Sequence, residues 1–382
     1  MEGIYLDNGA TTFPKAPGVV ESIGNYLTNI GCNINRGAYN SSFQAENLIY
    51  DTRELLCELF NFHKAENVVF TKSITESLNV LIKGLCKKGD HVIVSSMEHN
   101  AVMRPINSLK NMGVEYSRVK CSQVGDLNPS DLLKHIKKNT KAVIMLQASN
   151  VCGTILDLES VGKICKEKGI YFIIDTAQTA GFLNVDYEKL NADVIAFTGH
   201  KGLLGPQGIG GFAISDTLAK EIDSFIDGGT GSLSEHELQP QYMPDKFEAG
   251  TLNIPGIFGL NASLKYLLKE GISSIRQKEL YLLEEFLNKV SNINSIRIVG
   301  KNGIEDRTSL VSLDFTNHDN GEISYRLYKE FGIMTRCGLH CAPSAHKTLN
   351  TFPHGTVRFS FSHFNTIHEV NYTIESINKC IK

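Results

Sequence analysis

Tyr171-Phe172-Ile173-Ile174-Asp175-Thr176-Ala177-Gln178 and Asp193-Val194-Ile195-Ala196-Phe197-Thr198-Gly199-His200-Lys201 decide how this chain reads. Each is a short apolar run rich in β-branched and aromatic residues that stops abruptly at a polar cluster. Near-continuous apolar runs of this length are what strands look like in a parallel sheet covered on both faces. Outward from this pair, comparable runs stand at residues 67–71, 91–95, 114–118, 142–148 and 209–214. Amphipathic segments separate them. Leu78, Leu81, Ile82 and Leu85 share one helical face in 76–86, and 131–138 and 158–168 also read as helices. The alternation predicts an α/β fold built on a mainly parallel, seven-stranded sheet.

The texture changes after residue 226. Residues 227–253 are rich in Gly, Ser, Glu and Pro without a period, which reads as a long functional loop. A helical segment at about 257–287 follows. Strand-like runs then come at 295–299, 308–314, 333–335 and 356–360, with helices at 322–331 and 367–377. The expected organisation is a large domain over 1–255 and a smaller α+β domain over 256–382. The N-terminal segment, about 1–15, is expected to pack on the smaller one.

Composition narrows the function classes. The chain has 382 residues, 42% hydrophobic and 21% charged, with a net charge of −3, so no block of basic charge awaits a nucleic acid or an anionic membrane. No run approaches the roughly 18 apolar residues of a membrane span. The first residues carry neither the basic nor the apolar region of a signal peptide. Nine scattered cysteines, an odd number, are not a secreted disulfide framework. A reducing cytoplasm is the simplest location, with most thiols serving as small buried hydrophobes.

Ligands of open α/β sheets bind beyond the carboxyl ends of the strands. Polar clusters follow the strands at 71–76, 97–99, 149–150, 175–178 and 198–201, which points to one shared site. An acid (Asp175) and a lysine (Lys201) at neighbouring strand ends suit pyridoxal phosphate. The lysine forms a Schiff base with the aldehyde, and the acid keeps the pyridine nitrogen protonated so that the ring can accept electrons. Taken singly, either residue reads more simply as an ion pair or a solvated loop side chain. Ser73-Ile74-Thr75-Glu76 opens a helix, where backbone N–H groups and the Thr75 hydroxyl can hold a phosphate. The same four residues fit a capping box, and both readings can hold together. His99 is placed to stack on an aromatic ring, although a lone histidine is more often structural.

With these residues in place, the chain resembles the class V aminotransferase superfamily, and within it the cysteine desulfurases and selenocysteine lyases. The resemblance rests on Asp175–Gln178, on Thr198-Gly199-His200-Lys201 and on the glycine-rich run from Gly205 to Gly211. It extends to Tyr5–Thr12, Asn35-Arg36-Gly37, Met97-Glu98-His99, Ser149–Thr154, Glu248–Asn253, Thr335–Ala342 and Val357–Ser360. It implies a fold type I enzyme dependent on pyridoxal 5′-phosphate. Lys201 would form the Schiff base, Asp175 would pair with the pyridinium, His99 would stack on the ring and Gln178 would contact the phenolic oxygen. Thr75, Glu76, Thr198 and His200 would bind the cofactor, with Thr251 reaching across from the partner subunit of a homodimer. Arg358 would clamp the substrate carboxylate, Asn150 and Arg36 would line the substrate side, and Cys341 would accept sulfur as a persulfide while L-cysteine becomes L-alanine. Arg336 and His340 stand close enough in sequence to influence the Cys341 thiol.

Other readings stay open at this point. They are selenocysteine lysis, another reaction of this class (transamination, epimerisation, β-elimination), and a non-enzymatic cofactor-binding or sulfur-relay protein. Cys337-x-x-His340-Cys341-x4-His346 offers four metal ligands at loose spacing with no second pair elsewhere, so no metal is expected. The 205–211 glycines precede a strand instead of opening a helix and are not a dinucleotide fingerprint. Cys152 reads as a core thiol beside Asn150. The 227–247 loop and the run 342–346 differ from typical desulfurases, and both flank places where a sulfur-acceptor protein would dock.

Overall fold

In the computed structural model, which describes residues 3–34 and 37–382, the apolar runs become one sheet. After a short N-terminal strand, β1 (Ile4–Tyr5), come β2 (Val68–Thr71), β3 (His91–Ser95), β4 (Glu115–Val119), β5 (Thr140–Leu146), β6 (Tyr171–Asp175), β7 (Val194–Thr198) and β8 (Gly210–Ile214). The seven strands from β2 to β8 lie in the order β2-β8-β7-β6-β5-β3-β4. β3 to β7 run parallel to one another, whereas β8 is antiparallel to both β7 and β2. The chain moves outward from β3 to β4, then returns past β3 to β5, β6 and β7. That reversal opens a crevice beyond the strand ends.

Both faces of the sheet are covered, which is why the strands carry apolar residues without alternation. Helices α1 (Val19–Asn25), α2 (Asn40–Phe60), α3 (Ile74–Leu85), α4 (Asn100–Lys110), α5 (Leu158–Lys168), α6 (Asp216–Glu221) and α7 (Ile254–Glu270) supply the cover. Leu56, Phe60, Val161, Ile257 and Leu264 pack with Phe172 and Phe197 on one face. Leu78, Leu81, Val102 and Ile106 pack with Val92, Ile144 and Ala196 on the other.

A second sheet, antiparallel and four-stranded, follows in the order β12-β13-β10-β9. Its strands are β9 (Ile296–Val299), β10 (Leu310–Phe315), β12 (Arg336–Gly338) and β13 (Thr356–Ser360), while β11 (Ile333–Met334) pairs in parallel with β1. Helices α8 (Ile272–Val290), α9 (Asn320–Phe331) and α11 (Ile367–Cys380) pack on it, while Ala345 of α10 (Pro343–Thr348) joins the core of the large sheet. Leu6 joins Leu283, Phe286, Leu313, Phe359 and Ile377 in this core, so the N-terminal segment packs here. Thr366 and Glu369 form a reciprocal capping box at the start of α11.

Three elements differ from expectation. The helical run at 257–287 is two helices, because Gly271 takes a left-handed φ of 81° and breaks it; α7 then packs with α1 and α2. In place of a helix at 131–138 stands a 3-10 helix, Pro129–His135, opened by the Asn128 cap and Pro129. The strand at 333–335 is two short strands in different sheets. Asn35 and Arg36 lie outside the described residues. Among the described residues no helix is long and apolar enough to cross a membrane.

Candidate active site

A cavity of about 230 Å³ opens where β3, β5, β6 and β7 end, roofed by Arg336, His340, Cys341 and Arg358 from the second sheet and its turns. Thr75, His99, Asn150, Asp175, Gln178, Thr198, His200 and Lys201 all line it. The strand ends set these positions. Asp175 is the last residue of β6 and Thr198 the last of β7, with Lys201 three residues further along.

The electrostatics suit an amine facing an acid. Burial, the largest cause, pulls the Lys201 amine down to about 8; Arg358 and Arg336 push the same way and Asp175 opposes them. Asp175 is 5% exposed, accepts the Ala177 N–H at 2.8 Å, and is raised by desolvation against that bond and Lys201. His99 caps α4, its Nδ1 accepting the Ala101 N–H at 3.0 Å. That bond fixes the ring proton on Nε2. Burial, with the positive charges of Lys201, Arg336, Arg104 and Arg358, lowers His99 to about 4, so the ring is neutral.

Several polar atoms around the cavity have no partner. Thr198 Oγ1, His200 Nδ1, Asn150 Oδ1 and Arg358 Nε are buried and unpaired. Such orphans are costly unless something polar meets them. The start of α3 adds further donors, since Ser73 caps the helix while Thr75 faces the cavity. Gly210 permits this geometry: a Cβ there would stand 3.0 Å from Ile74 N and 2.9 Å from Phe197 O. Hydroxyls, helix N–H groups, an acid and a deprotonatable lysine match the phosphate, pyridine nitrogen and aldehyde of pyridoxal phosphate, so the residues present fit that group.

Arg358 is 2% exposed and spans the two sheets. Its Nη1 donates to Asn150 O at 3.0 Å and its Nη2 to Asp7 Oδ1 at 2.8 Å. Cys341 is exposed in a tight turn in which His340 and Cys341 both hold left-handed backbone, φ 46° and 57°. For residues with a Cβ this costs on the order of 1 kcal/mol each. The turn is tied down by Asn150 Nδ2 donating to His340 O at 2.7 Å and by Asn100 N–H donating to Cys341 O at 2.8 Å.

These observations agree with how the chain compares to known proteins. It matches the aminotransferase class-V family over residues 4–373. The chain belongs to that family. A probable cysteine desulfurase of Methanothermobacter thermautotrophicus is 33% identical over 380 residues, covering 98% of this chain and 94% of the relative. The cysteine desulfurase of Haloferax volcanii is 30% identical, covering 98% and 88%. Among solved structures, an apo cysteine desulfurase from Thermococcus onnurineus superposes with a TM-score of 0.92 at 32% identity, over 99% of this chain and 94% of that one.

Within this class-V chain, not every residue expected at the site lines the cavity. The Glu76 carboxylate turns back to accept the Lys72 N–H at 2.6 Å. Thr251 and Glu76 instead line a separate surface groove with Phe247 and Ile226. Gln178 Nε2 donates to Gly9 O at 3.0 Å, holding the N-terminal segment against the site. His340 carries no charge: its Nε2 pairs with Thr356 Oγ1 at 3.0 Å, and burial drives it down to about 2. Arg336 then joins Arg358 and Lys201 as the basic side chains that share the cavity with Cys341. Among the described residues no group of three or more His, Cys, Asp or Glu could hold a metal ion. Cys152 is buried, its Sγ against Thr154 Oγ1 at 3.3 Å.

Two acids stand near the site to which the sequence reading gave no role, although both lie within stretches that carry the resemblance. Asp7 pairs with Arg358, which only the folding of the N-terminal segment onto β13 reveals. Glu98, fully buried behind His99, accepts from Ser95 Oγ at 2.5 Å and from Leu146 N–H at 3.0 Å. Its place in Met97-Glu98-His99 was the signal available in the sequence.

Proposed function

We propose that this chain converts L-cysteine to L-alanine as a pyridoxal phosphate-dependent cysteine desulfurase, passing the sulfur to Cys341. One observation carries the reading: an exposed cysteine shares a cavity with a half-buried lysine, a buried acid and a buried arginine. Transamination and epimerisation need no protein thiol there. Relatives along the whole chain bear the desulfurase name.

Lys201, Asp175, His99, Thr75, Thr198 and His200 would hold the cofactor, with Gln178 beside them. Pyridoxal phosphate supplies an electron sink for charge that develops at the substrate Cα. Arg358 binds the α-carboxylate, a planar donor suited to two oxygens, while Asn150 fixes the adjoining turn. Lys201 Nζ, low enough to be neutral near its value of about 8, takes the Cα proton. The Cys341 thiolate attacks the substrate sulfur; the new S–S bond forms as the substrate Cβ–S bond breaks. Cβ then gains a proton, Lys201 returns one to Cα, and alanine leaves with a persulfide remaining on Cys341. Arg336, at the cavity mouth, stabilises the anionic sulfur.

Further proposals accompany this reading. The chain works as a homodimer in which Thr251 completes the cofactor site of the second copy, a placement supported by half-exposed Tyr50 sharing a groove with Thr251. An acceptor protein unloads the persulfide at the exposed Cys341. Nine free thiols support a reducing, cytoplasmic location. The chain divides into two units near Gly271, because α7 packs with α1 and α2 while α8 packs on the second sheet.

The test is Cys341→Ala in cofactor-loaded protein. Cofactor absorbance is retained and sulfide and alanine formation from L-cysteine are lost. Full turnover in the variant, or a keto acid formed without sulfide by the unmodified protein, would sink the assignment. L-selenocysteine in the same assay tests the related lyase activity.

A further inference from the structure

The turn after β5 is held from the other side by an uninterrupted row of donors. Asn150 O accepts from Arg358 Nη1 at 3.0 Å, and Val151 O accepts from Ser312 Oγ at 2.6 Å. Cys152 O accepts from Arg307 Nη2 at 3.0 Å, and Gly153 O accepts from Thr308 N–H at 2.9 Å. Four successive carbonyls of the seven-stranded layer are therefore bound by four groups of the four-stranded layer and the segment leading into it. The fit is tight: a Cβ on Gly153, whose φ is 76°, would stand 2.5 Å from Leu310 O.

Arg307 is the unusual member. It is fully buried and lies outside the cavity lining. Its guanidinium meets backbone carbonyls, those of Cys152, Leu310 (3.2 Å), Gly303 (3.4 Å) and Lys301. A charge without a carboxylate partner is an expensive way to fasten two layers. Its effect is to fix the peptide planes next to Asn150, and Asn150 connects to both working groups of the roof. The Asn150 carbonyl orients Arg358, and its amide holds the turn that carries Cys341.

We propose that Arg307 and Ser312 are positioning residues: by fixing the 150–153 carbonyl row they set the plane of the Arg358 guanidinium, and so the affinity for the carboxylate of the amino-acid substrate. This rests on the reading of Arg358 as the carboxylate clamp. A merely structural fastening would weaken every ligand alike, whereas a positioning role weakens only ligands that carry a carboxylate.

The experiment titrates cofactor-loaded protein with L-alanine and with ethylamine, which lacks the carboxylate, following the cofactor absorbance. Arg307→Lys and Ser312→Ala raise the L-alanine Kd about tenfold and about fivefold, the size expected for losing one hydrogen bond from a charged and a neutral donor. The ethylamine Kd stays within about twofold in both, as befits a ligand that Arg358 does not grip. In an Arg358→Lys background neither substitution weakens alanine further. Equal weakening of both ligands, additive losses in that background, or an unchanged alanine Kd in Ser312→Ala would overturn the proposal. Ser312→Ala decides alone if Arg307→Lys does not fold. A wild-type protein that binds alanine selectively yet releases no sulfide from L-cysteine would overturn the desulfurase reading and leave this one standing.

Discussion

Replacing Glu98 with Gln should make the protein's stability less sensitive to alkali, by an amount the structure sets. Glu98 is fully buried, and desolvation raises its carboxyl from 4.5 to about 8; Ser95 opposes the rise and Asp175 adds to it. Between those two values the unfolded chain has released the proton while the folded one retains it, so folding becomes less favourable as pH rises. At about 1.4 kcal/mol per pH unit, the interval amounts to on the order of 5 kcal/mol. Below pH 4.5 the group is neutral in both states, and the glutamine replaces one neutral group by another at a cost of about 1 kcal/mol for the altered donor pattern. Glu279, raised by burial to about 7, titrates in both proteins and drops out of the difference. Urea unfolding of cofactor-free wild type and Glu98→Gln, from pH 5 to pH 9, measures this. The variant begins about as stable as the wild type, crosses it just above pH 5 and leads by several kcal/mol above pH 8. A stability difference that does not vary with pH would refute the reasoning.

The other predictions concern the cofactor. Lys201 must be neutral to condense with an aldehyde, so the rate at which cofactor-free protein captures pyridoxal phosphate should rise about tenfold per pH unit below about 8 and level off above it, as stopped-flow absorbance will record. Thr198→Val removes a buried hydroxyl that has no partner, so cofactor-free protein should gain about 1 kcal/mol in thermal unfolding while cofactor affinity falls; a parallel fall in both would count against a ligand-facing role. Gly210→Ala places a Cβ against the first turn of α3 and should cost about 1–3 kcal/mol, with a matching loss of cofactor affinity by equilibrium dialysis.

Strand ends were the most legible part of this molecule. Apolar runs that halt at Asp175, Thr198 and His99 announced the sheet, and the sheet's parallel character announced which edge would bind. Arg358 and Cys341 came from the family resemblance, since nothing local in 336–341 or 357–360 says which layer those segments roof. Helix breaks were harder to see. Gly271 interrupts a run whose apolar spacing continues on both sides, and only the packing of α7 against α2 explains the change of direction. Asp7, Glu98 and Arg307 were illegible for one reason: each is defined by what buries it, and burial is a property of the folded chain. The neutral state of His340 was hidden for the same reason, because an exposed histidine and one pinned to Thr356 look alike in sequence.

The left-handed turn at His340 and Cys341 has a bearing on how sulfur leaves. A residue pinned through its own carbonyl to α4, and through its predecessor's to Asn150, has no tether to swing on. Its reach is the length of one side chain. On the desulfurase reading proposed above, a thiol arriving to collect sulfur would make the journey itself, inserting to the cavity mouth on a projection of its own. Selection among acceptors would then fall to the shape of what can enter, and the travelling part of the relay would belong to the visitor.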